Sequence, residues 1–206
     1  MKIGLIGDVH GEDVHLAWTI EALATLKPDV VLCVGDIADG PGSVDACVQL
    51  LQDHNVHCVM GNHDRWLLEG TLRSIADATL SENIADASLS YLSALPQTLE
   101  IPTPHGVLLL CHGLGSNDMR KLNEDDFDYP YTLECNPEFQ DILGRREHAF
   151  VVSGHTHRRM ARDFQGISFI NAGTLKKHQD PGYAVLDTET RKVLWFSLSQ
   201  EPHGAP

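Results

Sequence analysis

Three short apolar runs, Ile3–Ile6, Val30–Val34 and Val56–Met60, alternate with stretches whose apolar residues recur at helical spacing. Between the first two runs, Leu16, Ile20 and Leu23 keep that spacing until Lys27-Pro28, where proline withdraws the N–H that a continuing helix needs. Between the second and third, Ser43 stands where it can N-cap a helix whose Val44, Cys47, Val48 and Leu51 share one face. A β-α-β-α-β order commits the strands to run parallel with right-handed crossovers, and so commits the chain to an α/β fold.

The 206 residues, 42% of them hydrophobic, suffice for one sizeable core, and a single domain over 1–206 is expected. Trp66 to Leu95 has a helical pattern, with Leu89, Leu92 and Leu95 as its clearest stripe, so 65–105 reads as a helical insertion. Pro96, Pro102 and Pro104 punctuate the chain before the run Val107–Cys111. A second insertion, near 114–148, is irregular and acidic around Glu124–Asp128, with room for one short helix. Ala149–Val152, Phe169-Ile170, Tyr183–Leu186 and Val193–Leu198 predict further strands, the last two as a hairpin around Thr188–Lys192, with Ser199–Pro206 as a frayed tail.

Fifteen Lys+Arg against 29 Asp+Glu give a formal charge of −14. Such a surface repels a polyphosphate backbone, so a nucleic-acid polymer is not an expected partner. A small phosphorylated substrate remains compatible, because bound cations reverse the local sign. Cys33, Cys47, Cys58, Cys111 and Cys135 form an odd set without C-x-x-C pairs, and four of them interrupt apolar runs. They read as buried thiols of a reducing compartment. No stretch approaches a signal peptide or a membrane span, and a cytoplasmic address without membrane contact is expected.

The polar residues at the ends of the apolar runs are more informative. The runs end in Asp8-Val9-His10, in Gly35-Asp36-Ile37-Ala38-Asp39-Gly40, in Gly61-Asn62-His63-Asp64, in His112-Gly113 and in Gly154-His155-Thr156-His157. Carboxyl ends of parallel strands line one crevice, so these groups can converge there. The spacing of two within Asp8/His10 and His155/His157 puts each pair on one side of an extended segment. The donors Asp8, His10, Asp36, Asn62, His112, His155 and His157 mix nitrogen and oxygen without a thiolate. Imidazole in such a set suits Mn, Fe, Zn, Ni or Co over Mg or Ca; of these, Mn or Fe is expected. Seven donors exceed what one tetrahedral ion takes and suit two ions sharing a carboxylate. Two such ions, roughly 3.5–4 Å apart, clamp the attacking and leaving oxygens of an in-line phosphoryl displacement.

At these residues the sequence resembles the calcineurin-like metallophosphoesterase superfamily, whose pattern is D-x-H, G-D-x-x-D/G, G-N-H-D/E, a His, then G-H-x-H. The resemblance runs from Ile3 to about Leu175 and implies a four-layer α/β/β/α sandwich with the site at one edge. It implies that Asp8, His10, Asp36 and His157 hold one metal ion, with Asp36 bridging, and that Asn62, His112 and His155 complete the other. His63 would protonate the leaving oxygen or stabilise the transition state, and Asp64 would orient it. Asn171-Ala172-Gly173-Thr174 matches a turn that supports the site. The implied reaction is hydrolysis of phosphomonoesters or phosphodiesters by a hydroxide bridging the ions, since coordination lowers the pKa of water to about 7.

Gly40 stands where the phosphoprotein phosphatase branch carries a phosphate-binding Arg, which counts against protein phosphatase or dinucleoside-tetraphosphate hydrolase activity. Arg65, and less so Arg158 and Arg159, are the cations beside the motifs that could contact phosphate instead. Two alternatives compete. A non-catalytic interaction module is known in the superfamily, but it goes with a degraded metal site, and here every ligand position is filled. A metal-dependent nuclease would want a basic or aromatic strip, which the sequence lacks.

Overall fold

The computed structural model describes residues 1–71, 73–128 and 130–198; the expected tail Ser199–Pro206 lies outside them. In chain order the first half contains β1 (Lys2–Ile6), α1 (Asp13–Leu26), β2 (Val30–Cys33), α2 (Val44–Asp53), β3 (His57–Cys58), α3 (Asn62–Leu68), α4 (Asp86–Ser93), β4 (Thr98–Thr103) and β5 (Gly106–Cys111). The second half contains α5 (Pro130–Glu134), α6 (Pro137–Arg145), β6 (His148–Ser153), β7 (Met160–Phe164), β8 (Ile167–Asn171), β9 (Gly182–Asp187) and β10 (Lys192–Ser197).

The strands form two five-stranded sheets, ordered β10-β9-β1-β2-β3 and β4-β5-β6-β8-β7. Within the first, β1, β2 and β3 run parallel, and β9 and β10 add an antiparallel hairpin at the β1 edge. Within the second, β5, β6 and β8 run parallel, with β4 and β7 as antiparallel edges. Strand period two sorts the side chains. Ile3, Leu5, Leu32 and Val34 face Leu108, Leu110, Phe150 and Val152 across the gap between the sheets. On the outer face of the first sheet Ile6 and Cys33 pack against Leu16, Ile20 and Leu23 of α1 and Cys47, Val48 and Leu51 of α2. On the outer face of the second, Leu109, Cys111, Val151 and Phe169 meet Leu133, Phe139 and Ile142 of α5 and α6. The result is the four-layer α/β/β/α sandwich. Strands buried on both faces explain why β1, β2, β5 and β6 read as continuous apolar runs.

Local signals set the helix ends as the sequence predicts. The Ser43 hydroxyl accepts from the Ala46 N–H at 3.1 Å, and Lys27 closes α1 in a left-handed conformation, its N–H donating to the Leu23 carbonyl. Two expectations change, and one strand was not foreseen. The segment 65–105 is only partly helical: it ends in β4, whose Pro102 is tolerated because β4 is an edge strand. The segment 114–148 holds α5 and α6, with a 3-10 turn over Glu124–Asp128, instead of one short helix. Strand β7 escaped prediction because its alternating, polar-faced pattern is that of an edge. Among the described residues no helix is long and apolar enough to cross a membrane, and four of the five cysteines are buried and free, Cys135 being exposed and free.

Candidate metal centre

The sequence-predicted donors come together where β1, β2, β3, β5 and β6 end. Asp8, His10, Asp36, Asn62 and His112 are all buried, and His155 and His157 are half-buried. The chain reaches this arrangement through unusual backbone. His10, Asp36, Asp39, His155 and His157 have φ of 48°, 49°, 63°, 66° and 61°, a left-handed region that side chains other than glycine rarely adopt. Such conformations persist where the surroundings over-determine them, typically at functional sites. Here Val9 and His10 N–H both donate to the Asp36 carbonyl, at 3.1 and 2.7 Å, which ties the β1 end to the β2 end. Glycine is required at 61 because a Cβ there would lie 2.1 Å from Asp36 Oδ1. The Gly40 backbone presses on His10 in the same way, and a Cβ at 40 would fall 1.5 Å from the His10 carbonyl oxygen.

The left-handed turns also undo one expectation. His155 and His157 do not lie on one side of an extended segment; they diverge. His157 Nε2 meets His10 Nε2 at 3.0 Å, while His155 Nδ1 lies 2.7 Å from Asn62 Oδ1 beside His112. Two groups of donor atoms result, His10/Asp36/His157 and Asp8/Asp36/His112. Asp36 belongs to both: its Oδ2 lies 3.6 Å from His10 Nε2 and 3.3 Å from His112 Nε2. Asp8 lies between them as well: its Oδ1 is 3.4 Å from His112 Nδ1, and the His157 ring also acts on its carboxylate.

The donor set fits a cation in both groups. His10 donates Nδ1–H to the Asp39 carbonyl at 3.0 Å, and His157 donates Nδ1–H to Gln179 Oε1. Both Nε2 atoms are then bare lone pairs facing each other, an arrangement a shared cation relieves. Burial lowers the His10 pKa to about 3, so its ring is neutral and able to ligate. His112 donates Nδ1–H to the Val34 carbonyl at 2.9 Å, while its Nε2 faces Asn62 Oδ1 at 2.9 Å. Burial opposes charge on that ring, but Asp36 and Asp8 outweigh it and push the pKa up to about 10. The charged form of the ring is thereby favoured, with Nε2 toward Asp36 Oδ2 and Asn62 Oδ1. Burial raises Asp8 to about 6 and lowers His155 to about 4, and the buried His155 Nε2 has no hydrogen-bond partner among the described residues. For Asp36 burial works upward, yet the charge and hydrogen bond of His112 hold the carboxyl well below the ordinary range.

His63 stands beside these groups, its ring 4.8 Å from that of His10. Its orienting carboxylate is not Asp64. Asp64 is fully buried and accepts from the N–H of Ile37, Ala38 and Gly61 at 2.8, 2.9 and 2.9 Å, which caps α3 and fixes the loop carrying Asp36. Neighbours at i and i+1 of a helix point in different directions, so Asp64 is turned away from His63. Asp39 holds the ring instead, its Oδ2 accepting from His63 Nδ1 at 2.7 Å. Arg65 is likewise not free for phosphate: Asp118 takes it with two hydrogen bonds, at 2.6 and 3.2 Å, and Glu69 with a third at 3.1 Å. Arg159 is spent on the carbonyls of Asp180 and Pro181. Asn171 Nδ2 donates to the Gly154 carbonyl, and Thr174 Oγ1 to the Asp8 carbonyl at 2.9 Å, so the Asn171–Thr174 turn braces both β-strand ends.

Against known families, the Calcineurin-like phosphoesterase superfamily domain matches residues 1–191. The chain belongs to that superfamily. Among curated proteins this phosphoesterase-superfamily chain is similar to serine/threonine-protein phosphatase 1 of Salmonella typhimurium, 24% identical over an alignment of 204 positions, gaps included, that covers 84% of this chain and 87% of the relative. Its fold matches the crystal structure of a metallophosphoesterase from Sphaerobacter thermophilus with TM-score 0.68 and 20% identity, over 98% of this chain and 89% of the other. A hypothetical protein of Pyrococcus horikoshii OT3 matches with TM-score 0.77 and 14% identity, over 97% and 88% of the two chains. At these identities the structures speak for the fold alone.

Proposed function

We propose that the protein hydrolyses esters of phosphoric acid on small phosphorylated substrates, using two divalent transition-metal ions. The observation that carries this is Asp36 Oδ2, seated between two sets of histidine nitrogens and common to both donor groups. Asp8, His10, Asp36 and His157 would hold one ion, and Asn62, His112 and His155, with Asp36 shared, would hold the other. Bound divalent ions supply Lewis acidity, activating water at neutral pH and neutralising phosphoryl charge. The chain's own residues do the rest. Val34 and Asp39 carbonyls fix the orientations of the His112 and His10 rings, so that Nε2 of each is presented inward. Asp39 fixes the His63 ring through Nδ1, leaving Nε2 to hold a proton for the departing oxygen. No side-chain nucleophile is needed, and burial keeps the Cys111 thiol protonated, pushing it up to about 12.

The testing experiment is a panel of phosphomonoesters, phosphodiesters, cyclic nucleotides and phosphopeptides, assayed on metal-stripped protein reloaded with Mn²⁺, Mg²⁺, Ni²⁺ or Zn²⁺. Release of phosphate or alcohol that requires added metal supports the proposal; metal binding without turnover of any ester favours an interaction module. A chelator is expected to abolish activity while leaving circular dichroism unchanged. The three apolar clusters exclude the ligand side chains, and protonated His112 offsets Asp36 when the metal leaves. Unfolding on chelation would show instead that the metal holds the fold together.

Asp39→Asn is expected to lower activity about 10–100-fold, the usual loss when an orienting partner is removed. Metal content should be retained, because Asp39 supports His10 through its main-chain carbonyl. Metal stoichiometry measured beside turnover checks both halves of that statement.

A further inference from the structure

A row of rings leads away from the metal centre. His157 and His10 lie 4.8 Å apart between ring centres, His10 and His63 4.8 Å, and His63 and Trp66 5.1 Å. The row ends on Arg73, whose guanidinium carbon sits 4.2 Å above the Trp66 ring. The segment carrying Arg73 is fastened to the same machinery at its other end. Thr79 N–H donates to Asp39 Oδ1 at 2.7 Å, and Thr79 Oγ1 accepts from Asp39 N–H at 2.8 Å, so Asp39 is shared between this segment and His63.

Arg73 differs from Arg65, the second arginine over the Trp66 ring, whose Cζ lies 5.8 Å from the ring centre. Arg65, Arg120 and Arg162 each pair with a carboxylate, and Arg159 is held by main-chain carbonyls. Half-buried Arg73 has no hydrogen bond or ion pair with any described residue, in a chain of formal charge −14 that offers carboxylates freely. Stacking on an indole face leaves the planar N–H edges of a guanidinium available, and those edges match a carboxylate or phosphate.

We propose that Arg73 is a specificity-determining residue that binds an anionic group on the leaving alcohol, so that the favoured substrates are phosphate esters whose alcohol carries a second negative charge. This rests on the phosphoester-hydrolase reading, which puts His63 at the leaving oxygen and therefore Trp66 and Arg73 on the leaving-group side. Both a carboxylate and a second phosphate satisfy the same guanidinium edge.

The test pairs two near-isosteric esters, 3-carboxyphenyl phosphate and 3-carbamoylphenyl phosphate, on the metal-loaded protein. Wild type is expected to favour the carboxylate by about tenfold in kcat/KM, the scale of one charge-assisted hydrogen-bonded contact. Arg73→Gln should bring the ratio close to one, Arg73→Glu should invert it, and Arg73→Lys should keep part of it. A ratio near one in wild type, or an unchanged ratio in Arg73→Gln, overturns the proposal. If neither ester is turned over, the hydrolase reading fails, and titration with the alcohols 3-hydroxybenzoate and 3-hydroxybenzamide still decides Arg73. Tighter binding of the benzoate that Arg73→Gln abolishes sustains the anion site, and equal binding of the two alcohols removes it.

Discussion

Asp36→Asn is expected to strip metal from both halves of the centre and to lower turnover by more than ~10³-fold, beyond the ~10²–10³ that loss of one transition-state donor costs. The reason is geometric. Asp36 Oδ2 is the atom common to both donor groups, and Asp36 Oδ1 is already committed to the His63 N–H at 2.8 Å. An amide keeps the size of the side chain and, through its oxygen, that hydrogen bond, but not the charge that draws two cations together. Asn62→Ala should do less, weakening only the half that contains His112 and His155, since Asn62 Oδ1 touches those two rings. Metal stoichiometry and turnover of the two variants decide it. A fully active Asp36→Asn protein would sink the two-metal reading.

His63→Ala should keep its metals, because the His63 ring, close as it is to His10, is outside both donor groups. Its effect should depend on the substrate. A nitrophenolate departs with little help, whereas an alkoxide needs a proton, and a positioned acid is worth ~10²–10⁴-fold for such a group. Loss of about that size is expected on alkyl or nucleoside esters, with a much smaller loss on nitrophenyl phosphates. Measuring kcat/KM across leaving groups of graded pKa separates the possibilities. A uniform loss along the series would leave His63 as a residue that stabilises charge and not as the acid.

Strands β1, β2, β5 and β6 were legible because both their faces are buried, so they appear as unbroken apolar runs with polar groups abruptly after them. Edge strands β4 and β7 lack that contrast, and Pro102 made β4 look like a break. Within the centre, residue types were legible but partnerships were not. Sequence adjacency pairs His63 with Asp64, yet on α3 they diverge, and Asp39 arrives from 24 residues away through a left-handed turn. The same turns send His155 and His157 to different groups, where a spacing of two in an extended chain would have kept them together. Arg65 lost its expected role to Asp118, which is 53 residues distant in sequence and leaves no local trace.

The tight contact of Gly40 with the His10 carbonyl bears on how this lineage can change. Relatives of the phosphoprotein phosphatase branch place an arginine at the matching position, but here the space a first side-chain carbon would occupy is already filled by main chain. Placing an arginine at 40 is therefore not a matter of one substitution; the strand-end loop and His10 beside it would have to move first.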